Sequence, residues 1–238
     1  MTLARSTKQH WQIPKFVALA SLSGLLYASW PLGYVLNPIT NRGLVSNLEG
    51  LGQPYNWLFI TLDIISGVAV CVVARWLWLG TAGKRTMVAT TAVGSYALFG
   101  LLTAIDALIP VDCAADQGQC GNVINHPLVI WHGLISLASI GFLTLSLLII
   151  WWQFSRRPAS PTVVRYGLHS AVAIWFFFGI VTAILVGLNR SSALSQHSFI
   201  IACSLWTGIF PYFIRHGSES FRRNRRLLIP VVKSRLGA

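Results

Sequence analysis

Only six acids occur in the 238 residues: Glu49, Asp63, Asp106, Asp112, Asp116 and Glu219. Asp63 and Asp106 fall inside long apolar runs, where an ionisable group is costly unless it faces a partner, a water cavity or the interior of a bundle. His132 lies in a third apolar run, with Ser136 and Ser139 at i+4 and i+7 and so on one helix face. Asp63, Asp106 and His132 offer the oxygen and nitrogen donors that Zn²⁺ accepts, with a position left open for an activated water. In that reading Asp106 and His132 are ligands, Asp63 is a ligand or general base, and Ser136 joins them as a catalytic candidate. The same groups could instead relay protons, line a substrate-binding mouth, or lock helices through contacts worth about 0.6–2 kcal/mol each. Asp112, His126 and His197 stand at the mouth of this region. His126 also has a plainer role, since Asn125 or His126 can cap a helix that has Pro127 in its first turn.

The elements that must position these groups are apolar and long. The chain is 54% hydrophobic and only 10% charged, against about 25% charged in an ordinary soluble domain. Six runs, at 16–36, 55–79, 87–110, 127–152, 166–188 and 198–214, approach or exceed the roughly 20 helical residues that span a bilayer core. Only helices or closed barrels satisfy their own backbone in lipid, and barrel strands would be shorter and alternating. The expected fold is therefore an all-α six-helix transmembrane bundle over 16–214. It is preceded by a short segment, 1–15, and followed by a basic tail, 215–238. The first run has basic residues ahead of it, as a signal peptide would, but lacks a small-residue cleavage site and is expected to be retained. At 1.5 Å per residue, Asp63 lies roughly 12 Å, Asp106 roughly 6 Å and His132 roughly 7 Å from the same face.

Charge orients the bundle. Sixteen of the eighteen Lys and Arg residues flank one set of helix ends, and only Arg42 and Arg190 fall among the others. The positive-inside rule then puts both termini in the cytoplasm and the acidic connections outside. The net charge of +12 does not indicate nucleic acid, because the basic residues lie between apolar runs without a recognition motif. The tail segment from Phe221 to Val232 mixes basic and apolar residues beside the membrane. That composition suits anionic lipid headgroups, at about 1 kcal/mol per basic residue.

Cys113 and Cys120 flank an acidic, glycine-containing outer connection. On an oxidising face they are expected to form a disulfide worth roughly 2–3 kcal/mol of loop-closure entropy. A Cys-Cys-His zinc site with His126 is the alternative. Cys71 and Cys203, inside apolar runs, behave as small apolar residues.

The stretch from Ser46 through Gln53-Pro-Tyr-Asn-Trp57 to Asp63 and Gly67 resembles the first outer loop and second helix of the bacterial domain-of-unknown-function family 998. So does Ile105-Asp106-Ala-Leu-Ile-Pro-Val-Asp112-Cys113, followed by Cys120, His132 and Ser139. The resemblance covers about 16–215. It implies a multi-pass protein of the bacterial cytoplasmic (inner) membrane with six helices, and it singles out Asp63, Asp106, Asp112 and His132. A remoter similarity runs to seven-helix hydrolases with Ser, Asp and His zinc ligands, though this chain has one helix fewer and lacks their paired late histidines. The leading functional expectation is a polar Asp/His pocket facing the outer leaflet, serving metal-dependent hydrolysis of a lipid or envelope substrate. The alternative is a small carrier or accessory subunit.

Overall fold

A computed structural model describes residues 12–38, 45–80, 86–109, 127–156, 160–188 and 193–235, with side chains described between Lys15 and Arg215. Among these residues the protein is entirely helical. The elements are α1 (Gln12–Tyr27), α2 (Gly33–Leu36), α3 (Asn56–Gly80), α4 (Met87–Asp106), α5 (Pro127–Ser155), α6 (Thr162–Gly187) and α7 (Ala193–Arg235). Five of them are long and apolar enough to cross a membrane, or six spans if α1 and the bent segment after it count as one.

That bend is the main departure from the expected spans. The first run was read as one continuous helix, yet the chain breaks after Tyr27 and resumes at Trp30–Leu36 with a 41° change of direction. Pro31 explains the break, because it has no backbone N–H and its ring clashes with the carbonyl four residues earlier. The last run differs in the other direction. Its helix starts at Ala193 and runs without a break to Arg235, so the expected tail continues the span's helix.

Packing sets the arrangement. α3 lies against α4, α4 against α5, and α1 against both α3 and α7. Two glycines allow the closest approaches. A Cβ built on Gly67 would stand 2.4 Å from the Gly100 carbonyl oxygen, and one on Gly24 would stand 2.4 Å from that of Ser204. Tyr96 of α4 stacks on Phe210 of α7 at 4.4 Å and donates its hydroxyl to the Thr207 carbonyl at 2.9 Å. Val70, Val73, Phe99, Leu143, Leu147 and Ile150 fill the same core. α6 contributes little to it: 6% of its apolar window is buried, against 28–56% for the other four long helices, so it presents most of its surface to lipid.

The start of α3, the end of α4 and the starts of α5 and α7 meet at one end of the bundle, the acidic end. Residues 45–55 close this end rather than looping away from it. Residues Val45–Glu49 form a short 3-10 turn in which Asn47 and Leu48 are buried. Gly52 (φ 80°) and Tyr55 (φ 61°) then reverse the chain into α3. Tyr55 adopts left-handed backbone that disfavours any residue with a Cβ.

Candidate acid cluster at one end of the bundle

Asp63 sits in the third turn of α3, Asp106 is the last residue of α4, and His132 is in the second turn of α5. Helix geometry thus brings all three to the acidic end, as the depths calculated from the sequence required. They are distributed between two pairs. The Ser136 hydroxyl donates to Asp106 Oδ2, and His132 Nδ1 stands 3.3 Å from Asp106 Oδ1. That approach is not a hydrogen bond, and both atoms are buried without one. Asp63 instead faces Glu49, carried in by the 3-10 turn, with the two carboxyl groups within hydrogen-bond reach of one another.

The pairs feel one another. Asp106 and His132 act electrostatically on Glu49, and Asp106 acts on Asp63. The Tyr27 phenol lies within the field of all three carboxyl groups. Burial pushes the Glu49 carboxyl above the ordinary glutamate range, opposed by the Asp63 hydrogen bond and the His132 field. Next to the cluster, the Thr103 and Ser139 hydroxyls are 3.0 Å apart, and Ser139 also reaches the Phe99 carbonyl at 3.3 Å. These contacts fix the register of α4 against α5. They also help to hold Asp106 at a helix C-terminus, where the macrodipole is unfavourable to negative charge.

One expectation about this site changes. Among the described residues no three His, Cys, Asp or Glu side chains are grouped to hold a metal ion. The anticipated Asp63–Asp106–His132 ligand set separates because Asp63 turns to Glu49 while Asp106 turns to Ser136 and His132. Ser136, a catalytic candidate, donates its hydroxyl to the Asp106 carboxylate.

His197, expected at the open mouth, is 3% exposed and lies outside the acid pairs. Its ring stacks on Trp30 at 4.0 Å, with the Tyr34 hydroxyl 3.4 Å from Nδ1. Asp112, Asp116 and His126, together with the expected pairing of Cys113 with Cys120, fall outside the described residues. Among the described residues Cys71 and Cys203 are unbridged.

Glu49 is the site residue that the sequence did not single out, because it lies between the apolar runs at 16–36 and 55–79. The available signal was its setting: Val45 and Leu48 are apolar residues in a connection, as expected of a turn folded into the bundle.

The family described as protein of unknown function (DUF998) matches residues 17–210. The chain belongs to this family. The match runs from α1 into the middle of α7, so the family's extent coincides with the helical bundle and includes Glu49, Asp63, Asp106 and His132. No curated protein and no solved structure matches the chain significantly.

Proposed function

We propose that this DUF998 protein is a proton-linked membrane protein, a small carrier or relay, whose acid cluster holds protons shared among Glu49, Asp63 and Asp106 with His132 as the neighbouring base. The observation that carries this reading is the approach of the Glu49 and Asp63 carboxyl groups to within hydrogen-bond reach of one another. A hydrogen bond between them exists only while at least one partner carries a proton. If both were ionised, their repulsion would be about 4 kcal/mol at 4 Å and an effective dielectric of about 20. A simple helix lock needs one donor and one acceptor. Here three acids and an imidazole lie within one another's fields, the composition found in membrane proton relays.

In the proposed orientation the acidic end faces away from the cytoplasm, as the positive-inside rule favours. Anionic headgroups on the opposite face would be the partners of the basic tail. A metal-dependent hydrolase reading would require Asp63 to leave Glu49 and join Asp106 and His132, so the relay or carrier is preferred.

Infrared spectroscopy of the reconstituted protein tests the proposal. A protonated-carboxyl stretch is expected at neutral pH, reduced in Glu49→Gln and in Asp63→Asn but kept in Glu219→Gln. A wild-type spectrum without that band would overturn it.

A further inference from the structure

The segment after α2 has more structure than a simple connection requires. Its 3-10 turn places Leu48 at 0% and Asn47 at 2% exposure, while Leu51, two residues beyond Glu49, is 51% exposed. Polar contacts hold it from separate elements. The Val45 N–H donates to Gln196 Oε1 of α7 at 2.7 Å, and the Asn37 side-chain amide donates to Gln53 Oε1 at 3.2 Å. The Glu49–Asp63 carboxyl pair fastens it to α3. The two left-handed residues, Gly52 and Tyr55, lie on the α3 side of the turn.

We propose that Val45–Gln53 is a lid over the acid cluster, bolted shut by the Glu49–Asp63 carboxyl pair and opening to admit a small hydrophilic ligand or water from the acidic end. Several features support a lid rather than a permanent plug. Its buried residues are few, namely Asn47, Leu48 and Gly50. Two of its fasteners are hydrogen bonds to neutral glutamine side chains, which exchange readily with water. The lid and its bolt also belong to one short turn, so removal of Glu49 from Asp63 withdraws Leu48 at the same time. The groups facing Glu49 are Asp63 on α3, Asp106 on α4 and His132 on α5, with Tyr27 on α1 nearby. α7 contributes the neutral Gln196 at the far end of the turn and His197, which is engaged with Trp30. Of the described groups facing Glu49, His132 is the one whose field favours the ionised carboxyl, and its ring lies against Asp106.

Thiol accessibility in the full-length membrane protein tests this. Asn47→Cys is labelled with a water-soluble maleimide and read at that residue by peptide mass spectrometry. Leu51→Cys is the exposed reference, and native Cys203, which is fully buried, is the fold control. With Glu49 intact, Asn47→Cys should label far more slowly than Leu51→Cys. Adding Glu49→Ala should raise its relative rate by about tenfold or more, as expected when a charge-assisted hydrogen bond that holds the closed state is lost. Glu49→Gln, which keeps a hydrogen bond to Asp63, should stay near the parent rate. Asp63→Ala should act like Glu49→Ala and provides a second route to the same reading. Equal labelling of Asn47→Cys and Leu51→Cys in the parent, or no acceleration by either alanine variant while Cys203 stays protected, would overturn the lid. Proton sharing is judged by the infrared band and the lid by labelling, so the two readings can fail separately.

Discussion

Replacing Gly67 with alanine puts the α3–α4 packing to a quantitative test. The added Cβ would meet the Gly100 carbonyl oxygen at 2.4 Å, the Ala104 nitrogen at 2.8 Å and the Ala104 Cβ at 3.0 Å. Ordinary contact begins near 3.4 Å, so the helices must separate by about 1 Å locally, and two of the three obstructing atoms are backbone that no rotamer change can move. Overpacking of this kind costs about 1–3 kcal/mol. Alanine also favours a helix over glycine by about 1 kcal/mol, and this would mask part of the loss. Gly94→Ala on α4 removes that ambiguity, because a Cβ there meets nothing within 4 Å. Both variants gain the same propensity, so the difference between them isolates the clash. Thermal unfolding in detergent, followed by exposure of the buried Cys203 thiol, should rank Gly94→Ala at or above wild type and Gly67→Ala below Gly94→Ala by about 1–3 kcal/mol. The separation should also loosen Asp106 from Ser136, since Gly100 lies less than two turns before Asp106 on the same helix. If Gly67→Ala unfolds together with Gly94→Ala, the close approach of α3 and α4 is wrong, and the register that delivers Asp106 to α5 loses its basis.

Two further outcomes are expected. Because burial raises the Glu49 carboxyl above its ordinary value, its contribution to stability is complete below the unfolded-state value and is lost as pH rises through the higher folded-state value. Wild-type unfolding midpoints in detergent should therefore fall as pH is raised from the ordinary glutamate range toward neutrality, and Glu49→Gln should flatten that slope; an unchanged slope in the variant would rule Glu49 out as its source. For orientation, an impermeant thiol reagent added to intact cells should reach Leu51→Cys at the acidic end but not Met87→Cys at the opposite end, although both positions are exposed; labelling of Met87→Cys alone would invert the assignment.

The spans were legible because lipid imposes one rule on every backbone group, and uninterrupted apolar length reports compliance with it. α3 and α5 begin within one residue of where the apolar runs placed them. The break in the first span was also written in the sequence, at Pro31, but a run of apolar residues concealed it. Depth was readable from residue counting, so Asp63, Asp106 and His132 were placed at one end correctly. Helix rotation was not readable. Which neighbour each acid faces depends on how α3, α4 and α5 pack, and Gly67 and Gly100 help decide that through contacts absent from any local pattern. Glu49 was hidden for a related reason. A loop acid becomes an interior one only when its turn folds back on the bundle, and that requires partners such as Gln196, some 150 residues away. His197 was assigned to the mouth by position, yet the bent Trp30–Leu36 segment covers it.

The depth of Asp63 along α3 has an electrical consequence. It lies seven residues beyond the start of α3, or about 10 Å along the helix axis, in a hydrocarbon core about 30 Å thick. A proton passing from the acidic end to this carboxyl would cross about one third of that thickness. Moving one full charge across the membrane is worth about 2.3 kcal/mol per 100 mV, so this partial crossing is worth about 0.8 kcal/mol. With the acidic end outward and the cell interior negative, the resting potential would draw protons onto the cluster, raising the protonation equilibrium about fourfold per 100 mV. Occupancy of the Glu49–Asp63 pair would then follow membrane voltage as well as external pH.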